Sequence, residues 1–560
     1  MVADAVEHYF HVDIPMSEAG RPMREAVSAA HLTGRSVVAM EAHTSRAAWE
    51  QTPSQLKSDE DFFFSVGINR IVFHTYAHNA TPERLCPGPA FWSYGVPFSR
   101  GQTWWKTGKE WIQYLGRCQF LLQQGQAAAD VLACYGEETS GPLVNVYQPV
   151  GVSSFSNGLK GLPEGYEYDL LPATFLIHSL KVNADGTLSG AAGSRYRLIA
   201  LYPSDRLTPE LLRKVRSLVA EGATVLGRRP IASVSLSGYP ACDEEVRRLA
   251  AELWGGCDGT TVRENAYGKG RVLCGMTLEE ALERLAVPPD FRYHARDKNA
   301  KVSYVHRRAR EADIYFVRRV TGASNPDEDR LGFRVIGKVP ELWDPLTGER
   351  RTAKAYVQEN GMTWIPYERS VPNSTQFVIF RRPTDVSRGK ASRNLPHSEN
   401  LEELKGPWSL SFKGLDAPER IELSRLIDLS TSDSEAVKFF SGVITYTQTF
   451  DWRRPVPPCV RLGLGNVCTT AEVFLNGKAC GVAWTRPYEI DITQALKIGK
   501  NTLEIRVANT WANRLIGDLR KPEKQRKTWT TFAAYTADTD VAKFPSGLMG
   551  PVFILGVNAP

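Results

Sequence analysis

The rhythm of the chain changes near residue 288, and that change limits the folds open to it. Up to that point helical and strand-like segments alternate; beyond it, short strands separated by Gly, Asn and Pro turns run to the end. Alternation sets strands parallel with helices laid over them, whereas turn-linked strands pair antiparallel. A chain of 560 residues is long enough to hold several domains of both kinds, each with its own core.

In residues 1–125, Arg21 to Leu32 reads as a helix, Ser36 to Glu41 as a buried strand, Leu56 to Val66 as a helix and Gly67 to His74 as a second strand. A Gly/Pro-rich aromatic loop to Trp105 and a helix over Trp111 to Gln124 follow. Two parallel strands are far fewer than the eight of a closed barrel, so this part is expected to be an open, partial (β/α) barrel. Residues 126–288 read as a doubly wound, flavodoxin-like α/β domain. Its clearest unit is the strand Tyr196–Tyr202 followed by a helix with Thr208 as N-cap, Pro209 at the first position and Gly222 as the stop. Residues 289–385 read as a β-sandwich module, the polar stretch 386–400 as a linker, and 401–560 as a β jelly roll in which Asn476-Gly477 marks a hairpin.

Composition excludes several classes. No apolar run approaches the roughly 20 residues of a membrane span, so no membrane insertion is expected. The net charge of +6 over 68 basic and 62 acidic side chains reads as diffuse, which argues against a nucleic-acid partner. The nine cysteines contain no C-x-x-C pair and are expected to be mostly buried free thiols, with Cys468 and Cys480 able to bridge if their strands are neighbours. The first 15 residues carry acids and histidines in place of a basic and then apolar signal, so the chain as written reads as cytoplasmic, or as periplasmic or secreted if the true start lies upstream. No Gly-x-Ser-x-Gly or Gly-x-Cys-x-Gly elbow supplies a nucleophile. Aromatics make up 10% of the chain, and Trp92, Tyr94, Trp104 and Trp105 crowd one loop where they could stack on sugar rings.

Two resemblances sharpen the reading. Residues Ala471 to Lys478, Pro487 to Thr493, Asn501 to Trp511 and Ser546 to Val552 resemble the galactose-binding-like, sugar-binding jelly roll of family 2 glycosidases. The ordered series Asp13-Ile-Pro15, Val37 to Thr44, Gly67 to His74, Pro87-Gly88, Gln102-Thr-Trp104-Trp105 and Tyr135-Gly136-Glu137 resembles glycoside hydrolase family 106, the inverting α-L-rhamnosidases. The resemblance implies a substrate of rhamnose-containing oligosaccharide or polysaccharide. It also implies a longer N-terminal region that holds the early barrel strands and the general acid.

Inverting hydrolysis needs two carboxyl groups about 6.5–9.5 Å apart with a water between one of them and the sugar. Glu41 ends an apolar strand, where barrel enzymes project catalytic groups, and matches the family's strand-end glutamate; it is expected to be the general base. His74 and His78, at and beyond the next strand's end, are expected to touch substrate, as are Trp92, Tyr94, Gln102, Trp104 and Trp105. No cofactor is required on this reading, although the resemblance implies a possible calcium ion near Glu18 and Glu137. The competing expectation is a non-catalytic carbohydrate-binding or scaffold protein derived from such an enzyme.

Overall fold

A computed structural model describes residues 4–558 apart from 19–22, 45–47, 83, 93, 136, 138–161, 191–192, 202–203, 323–324, 326 and 370. Its first layer is a three-stranded parallel sheet in the order β1 (Met16–Glu18), β2 (Ala39–Ala42) and β3 (Arg70–Phe73). Strand β1 escapes the sequence reading because three residues are too few to show alternation. Around it lie helices α1 (Ala5–Tyr9), α2 (Met23–Thr33), α3 (Pro53–Ser65) and α4 (Lys109–Leu122). Helix α3 starts three residues earlier than expected, because Thr52 and Gln55 form a capping box ahead of Pro53.

The register makes the two faces of this sheet unlike. Ser17, Met40 and Ile71 sit side by side and are buried, Met40 and Ile71 in one core with helices α2 to α4. On the other face Glu18, Glu41 and Val72 align, flanked by Met16, Ala39 and Arg70. There Met16 is 42% and Val72 40% exposed. Parallel sheets normally have both faces covered, so a half-covered one stands out.

The second domain is a six-stranded sheet. Taken in chain order, its parallel strands Val131–Cys134, Tyr168–Leu171, Leu198–Leu201, Thr224–Leu226 and Gly270–Leu273 are arranged 2-1-3-4-5, and Glu264–Tyr267 adds an antiparallel edge. The helix Pro209–Glu221 forms where its end signals place it, with the Thr208 hydroxyl accepting from Leu211 N at 3.2 Å and Gly222 at φ 133°. Seven of the nine cysteines are free, as expected of most of them, though only Cys118, Cys134 and Cys242 of these are buried; Cys257, just past the helix Ala241–Trp254, is disulfide-bonded to Cys274 at the end of a strand. Cys468 and Cys480 are both free.

The third unit pairs a four-stranded antiparallel sheet with a six-stranded one. The latter takes Gln126–Ala127 as its edge, so these two residues, expected to open the doubly wound domain, belong to this module's sheet. Ile314, Phe316, Phe377 and Ile379 press that sheet into the same core as α3 and α4. The stretch expected to be a linker is held in place at Asn394. Buried Asn394 accepts from Lys354 N and Ala355 N and donates to Ala355 O, and strand His397–Glu403 already belongs to the last domain. Backbone and amide hydrogen bonds hold it, which a reading based on apolar content misses.

That last domain packs a four-stranded and a six-stranded antiparallel sheet around one apolar core. The hairpin lies at Asn476-Gly477, both in the left-handed region (φ 54° and 78°) that two-residue turns of this kind require. An excursion leaves the sandwich at helix Ala512–Leu519 and returns at Val541–Lys543.

Candidate active site

Glu18, Glu41, His74 and His78 lie at or beyond the carboxyl ends of β1 to β3. Glu18 and Glu41 are direct partners across two parallel strands, so their side chains leave the same uncovered face. Glu41 is half-buried. His74 continues the ladder, its N–H donating to Ala42 O at 2.9 Å, and its carbonyl accepts from Val96 N. The imidazole is half-buried with Nδ1 shielded and without a partner, edge-on to Phe91. Gly95 makes this approach possible: it sits at φ 86°, and a Cβ there would lie 2.4 Å from His74 Nδ1. His78 is exposed further along the loop.

The aromatic loop divides into two groups. Trp92 is 72% exposed and meets Tyr94 edge-on, and Trp105 is also exposed, so these three present faces to solvent. Trp104 does not: it is 1% exposed and packs against Trp111 in the core, which corrects its assignment as a sugar contact. Gln102 is likewise buried, donating from Nε2 to Ala48 O at 3.3 Å, and so ties the loop after β3 to the loop after β2. An alternating Trp-Trp pair on a turn gives no sign of which ring faces inward.

His43 is a residue that sequence reasoning passed over. Two positions beyond Glu41, it stands at φ 72° with Nε2 3.0 Å from Glu60 Oε1, both side chains fully buried. Glu60 Oε2 accepts from Trp111 Nε1 at 2.8 Å, and burial pushes the Glu60 carboxyl up despite these donors. The imidazole stacks near Phe73, with Nδ1 left without a partner. This network fixes the turn out of β2 from beneath. The available signal was the Glu-Ala-His run itself, with Glu60 and Asp61 together on the helix that follows.

The acids proposed for calcium do not converge. Glu137 is committed to a helix N-terminus, its oxygens accepting from Thr208 N at 2.8 Å and Thr208 Oγ1 at 2.7 Å. Among the described residues no group of three or more His, Cys, Asp or Glu is arranged to hold a metal ion. Glu138, the acid next to Glu137 in the chain, lies outside the described residues.

The C-terminal domain closes one side of the region. Trp529 and Thr530 pair in parallel with Pro87 and Gly88, and Thr531 Oγ1 bonds both Ala90 N and Ala90 O. Trp49 Nε1 donates to Thr530 Oγ1 and to Phe532 O, Tyr535 OH donates to Glu50, and Trp511 Nε1 donates to Gly101 O at 2.6 Å. The excursion thus straps together the loops that follow β2 and β3.

Parallel strands with acids at their carboxyl ends, exposed aromatic faces beside them and an attached sugar-binding-like sandwich define a glycoside-hydrolase type of protein. The family model described as α-L-rhamnosidase, glycoside hydrolase family 106, matches residues 7–358, and the chain belongs to that family. A second model, the galactose-binding domain-like unit of family 2 glycosyl hydrolases, matches residues 429–543. Among solved structures, the rhamnosidase from Novosphingobium sp. PP1Y is similar at TM-score 0.86 and 34% identity, covering 99% of this chain and 52% of that one. A protein of Formosa agariphila named "Putative beta-glucuronidase" is 25% identical over 774 residues, covering 94% of this chain and 63% of its own. The chain therefore spans about half to two-thirds of the length of these relatives.

Proposed function

We propose that this chain supplies part of the active site of an inverting α-L-rhamnosidase acting on rhamnose-containing glycans, with Glu41 as general base. The observation that carries the reading is the pairing of Glu18 with Glu41 on the uncovered face of a parallel sheet, at the carboxyl ends of its strands. Helices cover the other face, so the bare face corresponds to the interior of a (β/α) barrel. The exposed Met16 and Val72 on it support completion by further strands. The part of the Novosphingobium chain that this one does not match is where such strands and a general acid would have their counterparts. The 2-1-3-4-5 order of the second domain supports its placement in the flavodoxin-like, doubly wound class.

On this reading Glu41 takes a proton from water as the water oxygen bonds to the anomeric carbon. The glycosidic carbon–oxygen bond breaks at the opposite face, and the departing oxygen takes its proton from the acid. His74, Trp92, Tyr94 and Trp105 would hold the sugar, and His43 with Glu60 would hold the turn beyond Glu41. A rhamnoside is favoured over a glucuronide because both the family model and the solved relative at TM-score 0.86 are named for rhamnose. The disulfide favours an oxidising compartment, periplasmic or extracellular. The test is hydrolysis of a natural α-L-rhamnoside by the completed barrel with Glu41 intact and as Glu41→Gln. A loss on the order of 10²–10⁴ supports the base role, and undiminished turnover removes it.

A further inference from the structure

The charge that reads as diffuse along the sequence is locally concentrated in the fold. Arg520, Lys521, Lys524, Arg526 and Lys527 fall within eight residues, all exposed, immediately before the strap strand at Trp529–Thr530. The single acid among them is Glu523. Asp518, the nearest buried carboxylate, is already engaged by Lys527 N, Thr528 N and Thr528 Oγ1 and by Arg514, and Lys521 Nζ stands 4.0 Å off. Arg526 donates from Nε to the Lys521 carbonyl, not to an acid. Most of this positive charge is therefore left to solvent.

The strap leads into the loop after β3, which has the same bias. Between Thr75 and Gly108 the sequence carries Arg84, Arg100 and Lys106 against the one acid Glu83. These three bases are exposed. Aromatic faces lie at the seam between the two segments: Trp529, 38% exposed, pairs with Pro87, and Phe91 and Trp92 follow at 58% and 72%. Stacking faces framed by exposed cations suit a chain of sugar rings that carries negative charge. A neutral glycan would leave the cations unused.

We propose that the strap 520–530 and the loop facing it form a binding surface for an anionic stretch of the glycan, whose sugars bear carboxylate or sulfate groups. This rests on the rhamnosidase reading for the neighbouring site and adds the class of polymer in which the rhamnoside is embedded. Rings would stack on Trp92 and Trp529 while Lys524, Arg526 and Lys527 meet the charged substituents. Exposed ion pairs are individually weak, so several must act together.

The test is equilibrium binding to the full chain, read by tryptophan fluorescence and calorimetry at several salt concentrations. The probes are an oligosaccharide of alternating rhamnose and galacturonic acid, the same oligosaccharide with its carboxyls reduced to alcohols, a sulfated rhamnan oligosaccharide, and a DNA duplex of matched charge. An anionic oligosaccharide should bind roughly 10-fold more tightly than the reduced one, and Lys524→Gln/Arg526→Gln/Lys527→Gln, with unchanged melting, should abolish that advantage. Trp529→Ala should weaken all the sugars. Which anionic probe gains more identifies carboxylate or sulfate as the group recognised. Equal binding of charged and reduced forms overturns the inference, as does DNA binding as tight as the anionic sugar and indifferent to Trp529→Ala. The readout is binding, so it stands apart from turnover: loss of the charge contrast with Glu41-dependent hydrolysis by the completed barrel intact sinks this inference alone, and the contrast without any hydrolysis by the completed barrel sinks the rhamnosidase reading alone.

Discussion

Replacing Glu25 with glutamine should remove most of one component of the protein's pH-dependent stability. Glu25 lies in the first turn of α2, fully buried, and neither of its oxygens has a partner. Burial pushes its carboxyl up from 4.5 to about 7, against the lowering influence of its backbone and of Arg24. Below pH 4.5 the carboxyl is neutral in both folded and unfolded chains and contributes no pH dependence. Between about 4.5 and about 7 the folded chain keeps a proton that the unfolded chain has released, so stability falls as pH rises. At about 1.4 kcal/mol per unit the total is about 3 kcal/mol, a large share of the 5–15 kcal/mol typical of a domain. Urea unfolding from pH 4.5 to 8, monitored for the N-terminal domain, should show Glu25→Gln losing about 3 kcal/mol less than the wild type over that range. An identical decline in both proteins would refute the assignment of that cost to Glu25.

Thiol titration of the unfolded chain should count seven free cysteines before reduction and nine after it, and Cys257→Ser should cost about 3 kcal/mol, the closure entropy of a loop of 17 residues. Asp169→Ala should cost about 3–5 kcal/mol in urea, since it strips a buried carboxylate from His31 at 2.9 Å and Tyr196 at 2.8 Å. Burial opposes ionisation of Asp169, but His31 and Arg24 outweigh it and hold the carboxyl below 3.8; its contribution is present above that pH and is lost as pH falls through the folded value. Gly95→Ala should destabilise the loop by about 1–3 kcal/mol and shift the His74 ring signals, because the backbone is left-handed there and the new Cβ meets Nδ1.

How much of this was legible depended on whether the signal was local. The helix Pro209–Glu221 carries its cap, its first-turn proline and its glycine stop in sequence, and the Asn476-Gly477 hairpin needs only two residues to announce itself. Strand β1 and strand Tyr168–Leu171 were not legible, because the first is three residues long and the second hides a buried Asp169 that is satisfied from elsewhere. The helix Ala241–Trp254 has Pro240 where a capping side chain would stand. Cys257 and Cys274 meet across a strand turn that no spacing rule marks. At the site, Glu41, His74 and Trp92 could be placed from strand ends and loop composition, whereas the burial of Trp104, the engagement of Glu137 with Thr208 and the support of His43 by Glu60 are tertiary facts. The basic strap was hidden by averaging charge over the whole chain; it becomes visible once one segment is docked against another.

The most direct test of the account compares turnover of a natural α-L-rhamnoside by three proteins: this chain alone, the chain completed by co-expression with the portion of the Novosphingobium rhamnosidase that it does not match, and the completed form carrying Glu41→Gln. A general acid contributes about 10²–10⁴-fold when the leaving group is poor, so the chain alone should be slower than the completed form by at least about 100-fold. Glu41→Gln should then return the completed form to near the level of the chain alone. Turnover by this chain alone as fast as by the completed form, or a completed form indifferent to Glu41→Gln, would contradict the placement of the general base on the open face of β2.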